Sequence, residues 1–296
     1  MPDTAVAVDA HHHVWDPRVD RHEWLDDPVL ASLRRSFSMA DYRIAAHQGV
    51  AGRKVVRTVV VQTLASVSET RDLLALAAAD ELVGAVVGWI DLTDPGCGDV
   101  LDELVAAPGG HLLRGVRPLA QDETDPQWLL RPDVLRGLRA VDSRGLVFDA
   151  LVRPAQLLAA VELAHRLPTL TVVLDHAGKP DLRSGRLEDW SDAVTAMARA
   201  PRTRCKVSGL VTEAPWNGWR SSPIRQVVEH VLEEFGPERC MFGSDWPVCL
   251  LAAEWSEWAD VTAELLSDLD PHDVDSVLCG TATDIYRMNL TTRSEP

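Results

Sequence analysis

Short apolar runs alternate with longer amphipathic segments along most of this chain. Each short run has the length of a β-strand, and most are followed by a segment whose apolar residues recur with helical spacing. Strands that alternate with helices form parallel sheets, and eight strands are the number that closes a barrel. The pattern predicts strands at 6–9, 55–62, 82–90, 112–117, 146–151, 170–176, 204–208 and 239–243.

The helical segments predicted between these strands carry ordinary start and stop signals. Ser68 is placed to cap a helix at its first turn, and Gly145 follows another helix at the position where glycine commonly ends one. Residues 14–54 form a long irregular connection, which in a compact domain is usually functional. Helices are predicted at 68–81, 131–144, 154–167, 187–200 and 222–235, with a final pair within 254–288.

These elements predict an α/β fold, a single (β/α)8 TIM-like barrel that forms one domain over residues 1–296. The alternative is an open doubly wound sheet. A G-x-G-x-x-G turn after the first strand would favour that alternative as a dinucleotide-binding fold, and the sequence has none there. No internal repeat, linker or low-complexity tract interrupts the chain.

Composition narrows the classes of partner. The 296 residues include 45 acidic and 29 basic side chains, a formal net charge of -16, which argues against nucleic acid and anionic membranes as partners. No apolar run approaches the roughly 20 residues of a membrane span, and no signal peptide is recognisable. The five cysteines are odd in number and form no C-x-x-C pair, so we expect no disulfide framework and a cytoplasmic protein.

The candidate chemistry begins at Asp9-Ala10-His11-His12-His13, directly after the first apolar run. On a β-strand, Asp9, His11 and His13 would share one face and His12 would point away. Two imidazoles on one face of a strand can share a divalent cation such as zinc. A polar loop or the remnant of a purification tag is the alternative, although the flanking residues are unlike a tag.

Active sites of (β/α)8 barrels lie at the carboxyl ends of the strands. Three imidazoles and one carboxylate at these ends, His11, His13, His176 and Asp245, are ligands that a catalytic divalent metal uses. Each has a simpler explanation, since His176 can pair with Asp175 and Asp245 can cap a turn. The predicted strand ends carry His11, His13, Gln62, Asp91, Arg117, Asp149, His176, Lys206 and Asp245.

Four motifs together resemble the sugar-lactonase branch of the amidohydrolase superfamily, and they span nearly the whole chain. They are Asp9-Ala10-His11-His12-His13-Val14-Trp15-Asp16, Val173-Leu174-Asp175-His176-Ala177-Gly178-Lys179-Pro180, Lys206-Val207-Ser208-Gly209-Leu210 and Phe242-Gly243-Ser244-Asp245-Trp246-Pro247. The resemblance implies a distorted (β/α)8 barrel that hydrolyses small lactone rings, such as L-fucono- and L-rhamnono-lactones. Members of the branch differ in their dependence on metal.

Two features of the sequence limit what the resemblance implies. Binuclear members of the superfamily bridge their metals through a modified lysine in mid-barrel, whereas the lysines here are Lys54, Lys179 and Lys206, none on the fourth strand. At most one metal ion is therefore expected. Many relatives place histidine after the fourth-strand arginine, but Pro118 follows Arg117 here, which leaves the stereochemical preference for substrate open.

We therefore expect an enzyme that opens a sugar-derived lactone, with one divalent ion, zinc in the first place, or none. Asp245 would act as the general base, with His176 as a further catalytic residue. The expected metal ligands are His11, His13, His176 and Asp245, and the expected substrate-binding residues are Trp15, Gln62, Arg117, Lys206 and Trp246. Two rivals are a non-oxidative decarboxylase of the same superfamily and a non-enzymatic carbohydrate-binding barrel.

Overall fold

Eight parallel β-strands follow one another in the sheet in the same order as along the chain. The computed structural model describes residues 5–219 and 221–290. Helices lie between the strands, so the prediction of a (β/α)8 barrel is confirmed. The strands are β1 (Val6–His12), β2 (Lys54–Val61), β3 (Val83–Gly88), β4 (Leu113–Val116), β5 (Val147–Ala150), β6 (Val172–Leu174), β7 (Thr203–Val207) and β8 (Cys240–Phe242).

The ring closes between β8 and β1 at the carboxyl end of the barrel. The backbone N–H of Asp245 donates to the carbonyl of His11 at 2.8 Å, and that of His13 donates to the carbonyl of Trp246 at 2.7 Å. Both bonds use residues that follow β8 rather than β8 itself. The junction between β1 and β8, called the seam below, is therefore held by hydrogen bonds at the end of β1 that carries the histidines.

The helices match most of the predicted segments. They are α1 (Met39–Ala45), α2 (Val67–Ala79), α3 (Cys97–Ala106), α4 (Pro132–Ser143), α5 (Leu157–Arg166), α6 (Glu188–Ala198), α7 (Leu210–Glu213), α8 (Ser221–Phe235), α9 (Trp255–Leu265), α10 (Pro271–Asp275) and α11 (Thr281–Ile285). The N-cap of α2 is Ser66, whose hydroxyl accepts from the N–H of Glu69. The prediction of Ser68 as the cap was wrong by two residues.

The long connection between β1 and β2 is more ordered than its sequence indicated. It contains α1 and two 3₁₀ segments, Glu23–Asp26 and Pro28–Leu33. Trp15 and Phe37 exchange backbone hydrogen bonds of 3.1 and 2.8 Å, which fold the first part of the connection back on itself. The connection thereby forms a wall beside the carboxyl end of β1.

Apolar side chains pack on both faces of the sheet. The larger layer lies between the strands and the helices, and the smaller layer fills the interior of the barrel. Alternate residues along a strand point to opposite faces, so most strands contribute to both layers. Tyr286 and Met288 join the inner layer from the segment that follows the last strand. The inner layer comprises Val8, Ala10, Val59, Val61, Ala85, Val87, Val147, Val173, Met241, Ala282, Tyr286 and Met288.

Within the two described ranges, no helix is both long and apolar enough to cross a bilayer. All five cysteines are unpaired in the structure, and four of them are buried.

Candidate active site

A β-bulge interrupts the alternation of β1 just before the histidines. Asp9 pairs with Thr58 and His12 with Val60, so β1 has one more residue than β2 over this stretch. Asp9 and His12 both contact Tyr42, Asp9 through a 2.8 Å hydrogen bond and His12 through ring packing at 4.4 Å. The prediction that Asp9 shares a face with His11 and His13 was therefore wrong.

Asp9 instead ties the start of the barrel to its end. Its carboxylate accepts hydrogen bonds from the N–H of Ser244 at 2.8 Å, the hydroxyl of Tyr42 at 2.8 Å, the N–H of His11 at 3.1 Å and the indole of Trp255 at 3.3 Å. Burial raises the pKa of Asp9, and the hydrogen bonds from Ser244 and Tyr42 partly offset that rise. Asp9 is therefore a buried structural acceptor that fixes the backbone carrying His11.

Three imidazoles predicted at the ends of β1 and β6 converge on one carboxylate oxygen of Asp245, which was predicted at the end of β8. Oδ1 of Asp245 lies 3.5 Å from Nε2 of His13, 3.8 Å from Nε2 of His11 and 3.9 Å from Nε2 of His176. All four residues are buried. The ends of β1, β6 and β8 thus bring three imidazoles and one carboxylate to a single point.

Neighbouring groups orient each imidazole. Nδ1 of His13 lies 2.7 Å from the carbonyl of Val61, which can only accept, so that nitrogen carries a proton and the neutral ring presents its lone pair at Nε2. Nδ1 of His176 lies 2.9 Å from the hydroxyl of Ser208. Nδ1 of His11 lies between two groups, 3.2 Å from Nζ of Lys206 and 3.4 Å from Oδ1 of Asp175. Such contacts at the far ring nitrogen are typical of metal-binding histidines.

Burial keeps His11 and His176 neutral at physiological pH. It lowers the pKa of His176 to about 4 and that of His11 well below its usual value, the latter helped by the positive charge of Lys206. Burial also opposes ionisation of Asp245, but the neighbouring His176 and His13 leave the pKa of that carboxyl below its usual value. The cluster therefore combines two neutral imidazoles, those of His11 and His176, with an ionised carboxylate.

This donor set fits a divalent cation. Two ligands of a tetrahedral zinc ion, each about 2.1 Å from the metal, lie about 3.4 Å apart, close to the 3.5 Å that separates His13 from Asp245. The lone pairs of these two groups face each other, which is unfavourable without a cation or proton between them. Nη1 of Arg117 lies 3.2 Å from Nε2 of His11 and would compete with a metal for that nitrogen.

Left-handed backbone is concentrated around this cluster. His176 has φ 53°, Asp245 has φ 56° and Gly209, after β7, has φ 63°. Non-glycine residues in this region are strained, and such strain is often found at functional sites. A Cβ atom at Gly209 would lie 2.5 Å from Nδ1 of His176 and 3.0 Å from Oδ2 of Asp245, so only glycine fits.

The cluster lies at one wall of a cavity of about 860 Å³ at the barrel mouth. His13, Arg117, His176 and Asp245 all line it. The connection between β1 and β2 supplies another wall, and the loop after α7 supplies a third. Further lining residues include Arg21, Glu23, Trp24, Leu30, Thr63, Leu64, Gln121, Arg153, Lys179, Glu213 and Trp216.

Two predicted substrate-binding residues lie beneath the cavity and do not line it. Lys206 is fully buried, and its ammonium contacts the carboxylates of Asp149 and Asp175, the latter at 3.0 Å. Gln62 is also fully buried, and its amide donates to the carbonyl of Arg117 at 2.6 Å. Lys206 contacts His11 and Asp175, and Gln62 contacts Arg117, so both residues act on the site only through these neighbours.

The two predicted aromatic walls are also placed elsewhere. The indole of Trp15 donates to the carbonyl of Leu33 at 3.2 Å, and the ring of Trp246 packs edge-on against Phe37 and Tyr42. Neither lines the cavity, because both rings point into the layer between strands and connection. The tryptophans that do line it are Trp24 and Trp216.

Sequence reasoning missed a further polar group inside the barrel. The hydroxyl of Tyr286 donates to Asp149 at 2.9 Å, and Asp149 pairs with Lys206. Burial raises the pKa of Asp149 to about 6, although Lys206 opposes that rise. The sequence predicted Lys206 and Asp149 as strand-end residues, but nothing in it indicated that Tyr286 lies beside them.

Comparison with known proteins agrees with this architecture. A family model described as amidohydrolase matches residues 8–288, nearly the whole chain.

The chain belongs to the amidohydrolase family.

The curated relatives of this amidohydrolase include the L-fucono-1,5-lactonase of Burkholderia ambifaria, which is 36% identical over 291 residues and aligns with 95% of this chain and 96% of that protein. The L-rhamnono-gamma-lactonase of Scheffersomyces stipitis is 30% identical over 162 residues, 48% of each chain. A crystal structure of an amidohydrolase from Burkholderia multivorans with bound zinc has a TM-score of 0.88 and 36% identity, and covers 96% of this chain and 100% of that one. The resemblance inferred from the four motifs is thus confirmed.

Proposed function

We propose that this amidohydrolase is a sugar lactonase that opens an aldonolactone, such as L-fucono- or L-rhamnono-lactone, to its hydroxy acid. The observation that carries the proposal is the cluster of His13, His176, Asp245 and Arg117 on the wall of one cavity at the barrel mouth. Support also comes from the lactonase relative, which aligns with 95% of the chain at 36% identity. The substrate would be a small molecule, and we place the enzyme in the cytoplasm.

Asp245 would act as the general base. Its carboxylate lies at the centre of the cluster and is ionised at neutral pH, so it can take a proton from water as the water oxygen bonds to the lactone carbonyl carbon. The bond between that carbon and the ring oxygen then breaks. Asp245 returns its proton to the departing ring oxygen, which becomes a hydroxyl group of the product.

We propose His11, His13, His176 and Asp245 as the residues that would hold one divalent ion, zinc in the first place. Such an ion, when bound, supplies a Lewis acid that polarises the carbonyl and acidifies water. Arg117 lines the cavity and carries a positive charge that would stabilise the developing negative charge on the carbonyl oxygen. His176, held by Ser208, would keep the carboxylate of Asp245 in place.

The remaining predicted residues take revised roles in this proposal. Neither Lys206 nor Gln62 lines the cavity, so both would be positioning residues. Lys206 would hold His11 and Asp175 in position. Gln62 would hold Arg117 in position. Trp24 and Trp216 would take the place proposed for Trp15 and Trp246 as flat apolar surfaces for a sugar ring.

A pH-indicator assay with a panel of aldonolactones tests the proposed activity, because ring opening releases an acid. We expect acid release from six-carbon L-sugar lactones and no carbon dioxide. Asp245→Asn should lower kcat about 10²- to 10⁴-fold while circular dichroism stays that of the wild type. Asp181→Asn changes a partly exposed carboxylate that does not line the cavity, and it is the matched control. Lactones left intact, together with carbon dioxide release from an aromatic carboxylate, would favour the decarboxylase instead.

The metal is tested separately from turnover. Protein stripped with a chelator should gain thermal stability when zinc is added, and His13→Ala should lose most of that gain because a ligand is removed. Elemental analysis of the untreated protein should find at most one metal per chain. An equal gain in both proteins would remove His13 from the ligand set.

A further inference from the structure

A second charged pair faces the cavity beside the catalytic cluster. Nζ of Lys179 lies 2.8 Å from Oε1 of Glu213, and the two side chains are 18% and 22% exposed. Lys179 follows β6 and Glu213 ends α7, so the pair bridges the loops after two neighbouring strands. Both residues line the same cavity as His176 and Asp245.

The backbone bears a conformational cost to place Lys179 there. The four residues from His176 to Lys179 all have positive φ, between 50° and 71°, and three of them are not glycine. The N–H of Lys179 closes this left-handed turn on the carbonyl of His176 at 2.9 Å. Strained turns persist where the surroundings require one geometry. This turn brings His176 and Lys179 to the same wall of the cavity.

The other two cations near the cluster each contact several buried protein groups. The guanidinium of Arg117 donates to the carbonyl of Gln62 and contacts His11 and Asp175. Lys206 is fully buried and does not line the cavity. Lys179 differs from Arg117 and Lys206, because the carboxylate that its ammonium contacts lines the cavity as well.

The chemistry of this pair matches two adjacent hydroxyl groups. An ammonium group has three hydrogens to donate, and only one is needed for Glu213, while a carboxylate has several acceptor positions. A sugar diol offers the complement, since one hydroxyl can accept from the ammonium while its neighbour donates to the carboxylate. The 2.8 Å between the two charged atoms is similar to the spacing of neighbouring hydroxyl oxygens.

We propose that Lys179 and Glu213 bind two adjacent ring hydroxyls of the lactone and so determine which aldonolactones are accepted. This assignment rests on the proposed lactonase function. Lys179 and Glu213 would be substrate-binding residues that act on ground state and transition state alike. An ion pair with only a structural role would hold the two loops together and would not distinguish one sugar from another.

The test compares substrates that differ by one hydroxyl. Kinetics are measured with L-fucono-1,5-lactone and with analogues that lack the hydroxyl at carbon 2, 3 or 4. We expect the wild type to lose about 10- to 100-fold in kcat/KM on removal of either hydroxyl of one adjacent pair, as for a hydrogen bond to a charged group. Lys179→Met and Glu213→Gln should lose a similar factor on the full substrate, mainly through KM.

The deciding result is whether the variants still distinguish the full lactone from its deoxy analogues. Lys179→Met should distinguish the full lactone from the matching deoxy lactone by less than about threefold, because the group that reads the hydroxyl is gone. Methionine is unbranched like lysine, so the demand on the left-handed backbone is unchanged. Lys54→Met is the matched control, since it removes an exposed ammonium group at the start of β2 that does not line the cavity. Lys54→Met should discriminate among the lactones as the wild type does.

Binding provides a readout that is independent of turnover. Calorimetry with L-fuconate, the hydroxy acid product, in an Asp245→Asn background should show about 10-fold weaker binding when Lys179→Met is added. Undiminished discrimination among the deoxy lactones in both variants, with only a lowered Tm, would overturn the assignment and leave a structural ion pair. A wild type inactive on every lactone would instead overturn the proposed function, and this assignment with it.

Discussion

Gly209→Ala is the substitution whose effect the structure defines most closely. A Cβ atom at this position would lie 2.5 Å from Nδ1 of His176, whereas ordinary van der Waals contact begins at 3.4 Å. His176 must therefore retreat by about 0.9 Å, which would break its hydrogen bond to Ser208 and move it away from Asp245. A displacement of about 1 Å at a catalytic group can cost about 10²-fold in rate.

The same substitution has a stability cost that can be separated from the clash. An alanine at positive φ costs about 1–2 kcal/mol wherever it occurs, and forcing a methyl group into a packed site adds about 1–3 kcal/mol. Gly185 has φ 71°, and a Cβ atom there would have no neighbour within 4 Å, so Gly185→Ala has only the first cost. We therefore expect Gly209→Ala to lower Tm more than Gly185→Ala, by about 2–4 °C for each additional kcal/mol.

The assay is kcat on an aldonolactone together with thermal unfolding of both variants. Gly185→Ala should keep the wild-type kcat, and Gly209→Ala should lose about 10²-fold while remaining folded at the assay temperature. If Gly209→Ala matched Gly185→Ala in both kcat and Tm, the close approach of Gly209 to His176 and Asp245 would have no effect on function or stability. The reasoning from the glycine would then be refuted.

Three further substitutions test other parts of the structure. Glu69→Gln should raise KM and lower Tm, because its buried carboxylate accepts from the N–H groups of Thr63 and Leu64 in the cavity wall. Tyr286→Phe should cost about 1.5–3 kcal/mol in the free energy of unfolding at pH 8, since it removes a donor from buried Asp149. Because burial raises the pKa of Asp149 to about 6, the carboxyl is mostly protonated at pH 5, and urea denaturation there should show a smaller loss. Trp216→Ala should raise KM about 3- to 10-fold with little change in kcat, if its ring packs on the sugar.

Most strand positions could be predicted from the sequence because most strands are short, mainly apolar runs that are followed by a polar residue. The ends of β1, β6 and β8 identified His11, His13, His176 and Asp245, which the structure brings together. The helix α3 escaped prediction because Pro95, Gly96 and Gly98 around its start are typical of a loop.

The direction of individual side chains could not be predicted in the same way. The bulge in β1 is defined by its pairing with β2, which the sequence of β1 alone does not show. The simple alternation of faces therefore placed Asp9 on the wrong face. Trp15 and Trp246 were chosen because they adjoin site motifs, but sequence distance does not say toward which layer a ring points. The left-handed turn from His176 to Lys179 is equally invisible, since only Gly178 in it is a residue that favours positive φ.

The seam between β1 and β8 makes catalytic competence inseparable from closure of the ring. The hydrogen bond from Ser244 to Asp9 spans 235 residues, and the candidate metal ligands stand on both sides of the same junction. Any fluctuation that separates β1 from β8 also separates His13 from Asp245. A ligand bound by both of these residues would link the two strands, and its binding free energy would oppose opening of the barrel. Amide hydrogen exchange at His13 and Asp245, whose N–H groups tie the seam, should therefore slow together when the cavity is filled.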